Sequence, residues 1–359
     1  MDFDTLLGGL TAAIADGLVY ERRDGDLSLF CYTTRAVYEE AWTVITAVAR
    51  GLVLDRKARR IVATPFAKFH NLGEGGREAP ALDFEAFEKL DGSLIIAFHH
   101  NEGWRTVTKG DFNSEQAKAA LSMLPLSRMQ PGTTYLSEMI GPSNKIVVRY
   151  PNDECQLIGA YAADGRELLR PELESLQLGG MPLARILACS SLADLIASTE
   201  TLPIGEEGYV LRFSDGTRLK LKGKEYRRLH ALISNLSPLT VWEAMAAGGE
   251  LEMRRELPEE FWGDFDQIRV ILGRQIDGVM TAIETEAKKW AGASDKELGM
   301  AKDCIPEPAR SFLFSYRKGQ MAAPRTRQSI FRLVRPTGNA LDGYIASYAM
   351  KRAAEEMSG

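Results

Sequence analysis

The chain has 359 residues, 45% of them hydrophobic and 26% charged, with a formal net charge of −5 at pH 7. That length exceeds the size at which a single core usually stops growing and predicts two domains, and the composition is that of a soluble globular protein. No apolar run approaches the ~20 residues needed to cross a bilayer, and an acidic total excludes bulk coating of nucleic acid while leaving local cationic surface open.

In chain order, MDFDTLLGGLTAAIADG opens with acids in place of a basic leader and reads as a first helix, not a signal peptide. LSLFCYT (27–33) predicts a strand, and GLVLD (51–55) and RIVATP (60–65) flank a charged turn. SLIIAFHH (93–100) and WRTVT (104–108) form a hairpin across Asn101-Glu102-Gly103, and residues 111–124 predict a helix. TTYLSEMI (133–140), KIVVRY (145–150) and CQLIGAYA (155–162) add strands, and YVLRF and RLKLK form a second hairpin across Ser214-Asp215-Gly216-Thr217. Hairpins in tandem with intervening helices predict an α+β class with antiparallel sheets. After Tyr226 the spacing turns helical, over 241–257, 264–291 and 338–357. In the middle segment Ile268, Val270, Ile271, Ile276, Val279 and Ile283 approximate one packing stripe. The expected domains are therefore 1–235 and an all-helical 236–359.

Cys31, Cys155, Cys189 and Cys304 are widely spaced, and the adjacent His99 and His100 would face opposite sides of a strand. Neither pattern makes a zinc site or a disulfide framework, so a reducing cytoplasm is the expected location. Two cationic clusters stand out. Between Arg310 and Arg352, nine cationic side chains face the single acid Asp342, and RLKLKGKEYRRLH spans Arg218 to His230. Each is either a solvated rim or a phosphate-binding surface.

The chemistry concentrates around FEKLDGSLIIAF (87–98), where Lys89 stands just before an Asp-Gly turn and an apolar strand. Around Lys89-Leu90-Asp91-Gly92-Ser93 lies an ordered series: Arg50-Gly51; Pro65 to Asn71 with Lys68; Glu138 followed by Pro142-Ser143-Asn144-Lys145-Ile146-Val147; Glu207 to Val210; and Lys220 and Lys222 with Tyr226. Each places charge in or beside a strand-like run, which is what a phosphate-handling pocket needs.

This series resembles the covalent nucleotidyltransferases (DNA ligases, RNA ligases and mRNA capping enzymes), and in detail the ATP-dependent, phage-type RNA ligase 1 family. The resemblance covers about residues 30 to 230. It implies a nucleotidyltransferase (ATP-grasp-like ligase) domain that joins RNA 5′-phosphate and 3′-hydroxyl ends through a lysyl-AMP and an RNA-adenylate. It implies Lys89 as nucleophile, with Asp91, Glu207, Lys220 and Lys222 as its catalytic company, and ATP with Mg2+ or Mn2+ as cofactors. Glu207 and Asp91 would serve the metal, Asp91 through water. Arg50 and Lys68 would handle the β- and γ-phosphates, Glu138 the ribose, Ile140 the base and Tyr226 the phosphate end, with Leu90 a further nucleotide-binding residue. The helical domain would choose the RNA, cleaved tRNA included, with no membrane and no obligate protein partner.

Several residues keep a second reading. Glu206 competes with Glu207 if the strand register slips by one. Asp91 also suits a turn former, Ile140 ordinary core packing, and Lys220 and Lys222 an exposed strand face. A free lysine, with its pKa near ~10.4, is protonated at neutral pH, so neighbouring Lys220, Lys222 and a bound metal are expected to lower the value at Lys89. A catalytically inactive nucleotide- or RNA-binding module, or a DNA ligase or capping-type enzyme, is the alternative. The latter predicts a strand-rich OB-fold after Lys222, which the helical tail lacks.

Overall fold

The computed structural model describes residues 2–350 apart from 189–190, 259–260, 338–339 and 348–349. Cys189, Lys351 and Arg352 therefore lie outside the described residues. The chain falls into two compact units that divide after His230.

In the first unit, helix α1 (Phe3–Ala15) starts where the Asp2 carboxylate accepts from the Thr5 amide at 2.9 Å. Strands β1 (Val19–Asp24) and β2 (Leu27–Tyr32) follow, then the short helices α2 (Thr34–Tyr38) and α3 (Val44–Val48). Next come β3 (Arg50–Asp55), β4 (Arg60–Ala63), β5 (His70–Asn71), β6 (Phe84–Glu88), β7 (Ser93–His100) and β8 (Gly103–Val107). Helix α4 (Glu115–Met123) leads to β9 (Thr134–Ile140) and β10 (Glu154–Tyr161). Helix α5 (Arg170–Ser175), β11 (Ile186–Leu187), α6 (Leu192–Ser198), β12 (Gly208–Phe213) and β13 (Arg218–Lys222) complete it.

Three sheets result, in the orders β1-β2-β3-β4, β10-β9-β7-β8 and β11-β6-β12-β13-β5. The pairings are antiparallel except the two-residue contact of β13 with β5. The first two sheets pack face to face, Leu27, Leu29 and Val53 against Leu94, Ile96 and Phe98. Leu6 and Leu10 of α1 cover the outer face of the first sheet, and Ala120 of α4 covers the outer face of the second. All six residues of β2 are buried, because its sheet is covered on both faces. Each such large side chain contributes roughly 1.5–3 kcal/mol by leaving water. Leu195 of α6 backs the third sheet at Leu211 and Phe213. The expected α+β class with antiparallel sheets is thus observed, with a helical region following it.

Helix α7 (Lys224–Ser234) runs through the division, and the second unit contains α8 (Pro238–Ala247), α9 (Glu250–Glu256), α10 (Trp262–Lys289), α11 (Asp295–Met300), α12 (Ala309–Arg317) and α13 (Pro324–Leu333). Ile283, Leu298, Phe312, Leu313 and Ile330 form its core. Among the described residues no strand follows Lys222, so no OB-fold follows the lysine pair. No described helix is long and apolar enough to cross a membrane.

Four sequence expectations need correction. KIVVRY is a loop, because the Val147 and Val148 amides, which a strand would place in a ladder, donate to the Asp91 carboxylate. The helix expected over 241–257 breaks at Gly248, whose φ of +78° ends α8. Of the helix expected over 338–357, residues 340–347 are not helical, and Gly343 has a φ of +84°. In the α10 stripe, Ile268 and Ile283 are fully buried but Val270 is exposed, and Leu272 takes the inward place.

Candidate active site

Part of the motif series lines one cavity of about 120 Å³ in the first unit, while Lys68, Asp91, Ile140, Glu207, Lys222 and Tyr226 are not among its lining residues. Lys89 follows β6, and its backbone amide donates to the Gly208 carbonyl at 2.9 Å. Gly208 has a φ of +145°, and an added Cβ would overlap the Leu221 carbonyl. Only glycine lets β12 run this close to β13 directly after Glu207. Glu207, 3% exposed, then faces two lysines, with Oε2 2.6 Å from Lys89 Nζ and Oε1 3.2 Å from Lys222 Nζ. Glu206 lies in the preceding turn, so the geometry assigns the buried carboxylate to Glu207.

Arg50, Lys89, Leu90, Glu138 and Lys220 line the cavity. Arg50 is aimed by Gly51, whose φ of +95° and crowding by Ile96 and the Lys109 backbone exclude a side chain. Lys220 lies 4.7 Å from the Phe69 ring centre, and Arg50 lies 5.9 Å from it. Lys68 lies against both the Trp42 and Tyr32 rings, at 5.3 and 5.6 Å. The exposed-face reading of Lys220 and Lys222 is therefore excluded.

The electrostatics correct one expectation. Burial opposes charge on Lys89, yet Glu207, Glu138 and Asp91 outweigh it and hold the amine above its ordinary value. The cationic depression expected at Lys89 falls on Lys220 instead, where burial, Lys89, Arg50, Lys68 and Lys222 push the pKa well down. Burial and the neighbouring Arg50 bring Lys68 down to about 8. Burial raises Glu138 to about 7 against the pull of Lys89 and Arg50. Glu207 is held below the usual carboxylate range, since Lys89 and Lys222 overcome its burial.

Three assigned residues sit differently from expectation. Asp91, 2% exposed, accepts from Val147 N at 2.8 Å and Val148 N at 2.7 Å through Oδ2, and from the Tyr226 hydroxyl at 2.8 Å through Oδ1. It is a clamp joining the Lys89 turn to the 147–148 loop and to α7. Tyr226, 2% exposed, turns its hydroxyl to that clamp and its ring toward Lys222, 5.2 Å away, so it braces the site from behind. Ile140 is fully buried with Leu90 and Ala184, and those two line the cavity while Ile140 does not. The apolar cavity wall comes from Leu90 and from residues to which the motif reading gave no role, among them Phe66 and Phe69 between Pro65 and Asn71, Val210, and Ile158 outside the motifs. Gly159 follows a register shift in β10, and the space of its missing side chain is filled by the Phe66 ring. Lys109 is another missed cation, its charge acting on Lys68. Its Thr-Lys-Gly-Asp setting gave no signal beyond an ordinary turn.

Among the described residues no cluster of three or more His, Cys, Asp or Glu could hold a metal. Asp91 already accepts three hydrogen bonds and Glu207 is ion-paired with two lysines. This donor set suits only a divalent ion that arrives on the phosphates of a nucleotide, keeps most of its waters and takes one carboxylate such as Glu207.

The cationic clusters divide. In the second, Arg218 pairs with Glu167, Lys224 and Arg227 with Glu200, and Arg228 with Glu225, while Lys220 and Lys222 enter the site. In the C-terminal cluster, Arg327 donates to the Met245 and Ala246 carbonyls, Arg317 to Ala293 and Arg310 to Ile305. These arginines cap or bridge helices, and Lys318, Arg325 and Arg332 remain on the exposed surface.

No family model matches the chain. Two curated proteins are similar to it. "Putative RNA ligase" of Thermovibrio ammonificans is 28% identical over 204 residues, covering 50% of this chain and 52% of that protein. "Putative bifunctional polynucleotide kinase/RNA ligase" of Autographa californica nuclear polyhedrosis virus is 23% identical over 241 residues, covering 57% and 34%. The chain thus spans about half or less of the length of these relatives. Among solved structures, an archaeal ATP-dependent RNA ligase aligns at a TM-score of 0.48 with 18% identity, over 65% of this chain and 68% of that one. An RNA ligase of Naegleria gruberi, solved with pyrophosphate, aligns at 0.35 with 19% identity, over 41% and 51%. The resemblance carried by the ordered motifs has sequence relatives of the same kind: this chain is similar to RNA ligases.

Proposed function

We propose that the chain is an ATP-dependent RNA ligase that joins 5′-phosphate to 3′-hydroxyl ends through an adenylate on Lys89. One observation carries this reading. A buried lysine amine, 2.6 Å from a carboxylate, faces a cavity into which Arg50 and Lys220 also project, and Lys220 has no ion-pair partner among the described residues. Cations gathered against their own repulsion are stabilised by a bound polyanion.

In the first step Lys89 Nζ gives up its proton and attacks the α-phosphorus of ATP. An N–P bond forms, the α–β P–O bond breaks, and pyrophosphate leaves. Lys89 starts as an ammonium paired with Glu207, so triphosphate binding must weaken that pairing before attack. Lys220 and Lys222 offset charge on the phosphoryl oxygens, and Arg50 and Lys68 hold the leaving pyrophosphate. A divalent ion bound with the nucleotide supplies further neutralisation of the phosphates. Glu138, near its own titration point, accepts from the ribose hydroxyls. In the second step an oxygen of the RNA 5′-phosphate attacks the AMP phosphorus, the N–P bond breaks, and Lys89 regains a proton. In the third, a 3′-hydroxyl attacks the activated RNA phosphorus, a phosphodiester forms, and AMP departs. We assign the RNA-choosing role to the helical unit, with Lys318, Arg325 and Arg332 as its exposed cations. Cleaved tRNA belongs to this proposal as one candidate substrate, and the reducing cytoplasm as the setting.

Incubation with α-labelled ATP and magnesium, followed by denaturing electrophoresis, should label the wild-type protein and leave Lys89→Ala unlabelled. The variant should also fail to join 5′-phosphorylated RNA. Wild-type protein that takes no label would move the reading to an inactive nucleotide- or RNA-binding module.

A further inference from the structure

We propose that Trp42 is a positioning residue: with Tyr32 it cradles the Lys68 ammonium near Arg50 and keeps it in place, and charged, for capture of a triphosphate. The inference rests on the proposed function in one respect, the identity of that ligand.

The cradle is built from both sides. Lys68 Nζ lies 5.3 Å from the Trp42 ring centre and 5.6 Å from that of Tyr32. The two rings meet edge to face at 5.1 Å, and His70 packs on the far side of Trp42 at 5.5 Å. The tryptophan's own backbone is pinned. Its amide donates to the Glu40 carbonyl at 2.8 Å, Ala41 donates to Ala36 at 3.0 Å, and the Thr43–Thr46 capping box starts α3 immediately after it. The Lys68 amide donates to Ala47 of that same helix at 2.8 Å, so lysine and ring are held to one element.

The groups facing Lys68 pull both ways. Arg50, Lys109 and Lys222 repel its charge, and burial adds to that. Glu74 attracts it, but that carboxylate is engaged by the Asn71 amide at 2.9 Å and by His70 at 3.3 Å. An aromatic face favours the ammonium over the neutral amine without supplying a competing anion. A carboxylate in the same place would hold the lysine more tightly and would repel a triphosphate. The ring does neither.

The test uses the full chain as wild type, Trp42→Leu and Trp42→Phe. Lys68 reactivity toward acetic anhydride, followed against pH by mass spectrometry without nucleotide, should show a midpoint near 8 in the wild type. In Trp42→Leu, which keeps apolar cover but loses the ring, the midpoint should fall by about one pH unit. At pH 7.5 that takes the charged fraction from about three quarters to about one quarter, so KM for ATP in adenylylation should rise about threefold with kcat unchanged. The rise should vanish near pH 6.5, where the variant regains its charge, and Trp42→Phe should fall between the two. An unchanged Lys68 midpoint in Trp42→Leu overturns the proposal, as does a KM rise that lower pH does not erase. The Phe variant gives the same readings if the Leu variant does not fold. The labelling needs no ligase activity, so a chain that never adenylylates overturns the proposed function and leaves the cradle separately testable.

Discussion

Removing one oxygen from Tyr226 tests how the turn carrying Lys89 is held. In Tyr226→Phe, Asp91 Oδ1 loses its 2.8 Å donor while Oδ2 keeps the Val147 and Val148 amides. The carboxylate is 2% exposed, so water cannot readily replace the missing donor. A hydrogen bond to a charged group is worth roughly 1.5–3 kcal/mol, and a loss of about 2 kcal/mol is expected. For a unit of this size that lowers the midpoint of thermal unfolding by about 4–8 °C. Asp91→Asn should cost a comparable amount, because its neutral amide oxygen accepts from the two backbone donors more weakly than a carboxylate, even with its N–H turned to the tyrosine hydroxyl. The readout is urea unfolding with hydrogen exchange followed in peptides covering 144–150, which reports the first unit alone. Asp91→Asn should strip protection from the Val147 and Val148 amides. The double variant should recover about 1–2 kcal/mol relative to the sum of the single changes. Coupling below about 0.3 kcal/mol, with protection at 147–148 untouched, would refute the clamp.

Other expectations follow from the same geometry. Glu138 titrates near 7 in the folded chain and near 4.5 when unfolded, so its contribution to stability is full below pH 4.5 and is lost as pH rises through 7. Glu138→Gln should therefore gain on the wild type by up to about 3 kcal/mol between pH 4.5 and 8, an upper bound for a half-buried group; equal stability differences at both pH values would contradict this. Lys220→Met removes a desolvated, repelled cation, so it should raise the unfolding midpoint by a few degrees while cutting adenylylation by about 100-fold or more. A destabilised but active variant would argue against the assigned role. Gly208→Ala must push the Leu221 carbonyl away and should cost several kcal/mol, visible as a large fall in urea midpoint.

What could be read without a structure was the set of charges, and what could not was their second neighbours. Lys89, Glu207, Lys220, Lys222, Arg50, Lys68 and Glu138 each stand beside a strand-like run, and strand alternation is enough to turn them to one side. Alternation also placed Ile140 beside Glu138, but it carries no information on depth: Ile140 is fully buried, and Leu90, packed in the same cluster, lines the cavity. KIVVRY has the composition of a strand. Its amides are diverted by a carboxylate more than fifty positions earlier, which no local pattern records. The strands VYERRD and FEAFE went unseen because charged residues broke their apolar texture, although their backbones complete two sheets. Trp42 and Lys109 were missed for a related reason: each acts through a side chain distant in sequence.

A ladder of only two residue pairs joins β5 to β13, with Leu219 opposite His70, Lys220 opposite Asn71, and the Leu72 amide on the Lys220 carbonyl at 2.9 Å. Two amines separated by some 150 positions in the chain are thereby fastened to one rail. A single inserted residue in the Asp215-Gly216 hairpin would advance β13 by one notch, exchange Lys220 and Lys222 for leucines, and unhook the segment bearing Lys68 in the same movement. The length of that small turn, which touches no part of the cavity, is therefore under the same constraint as Lys89 itself.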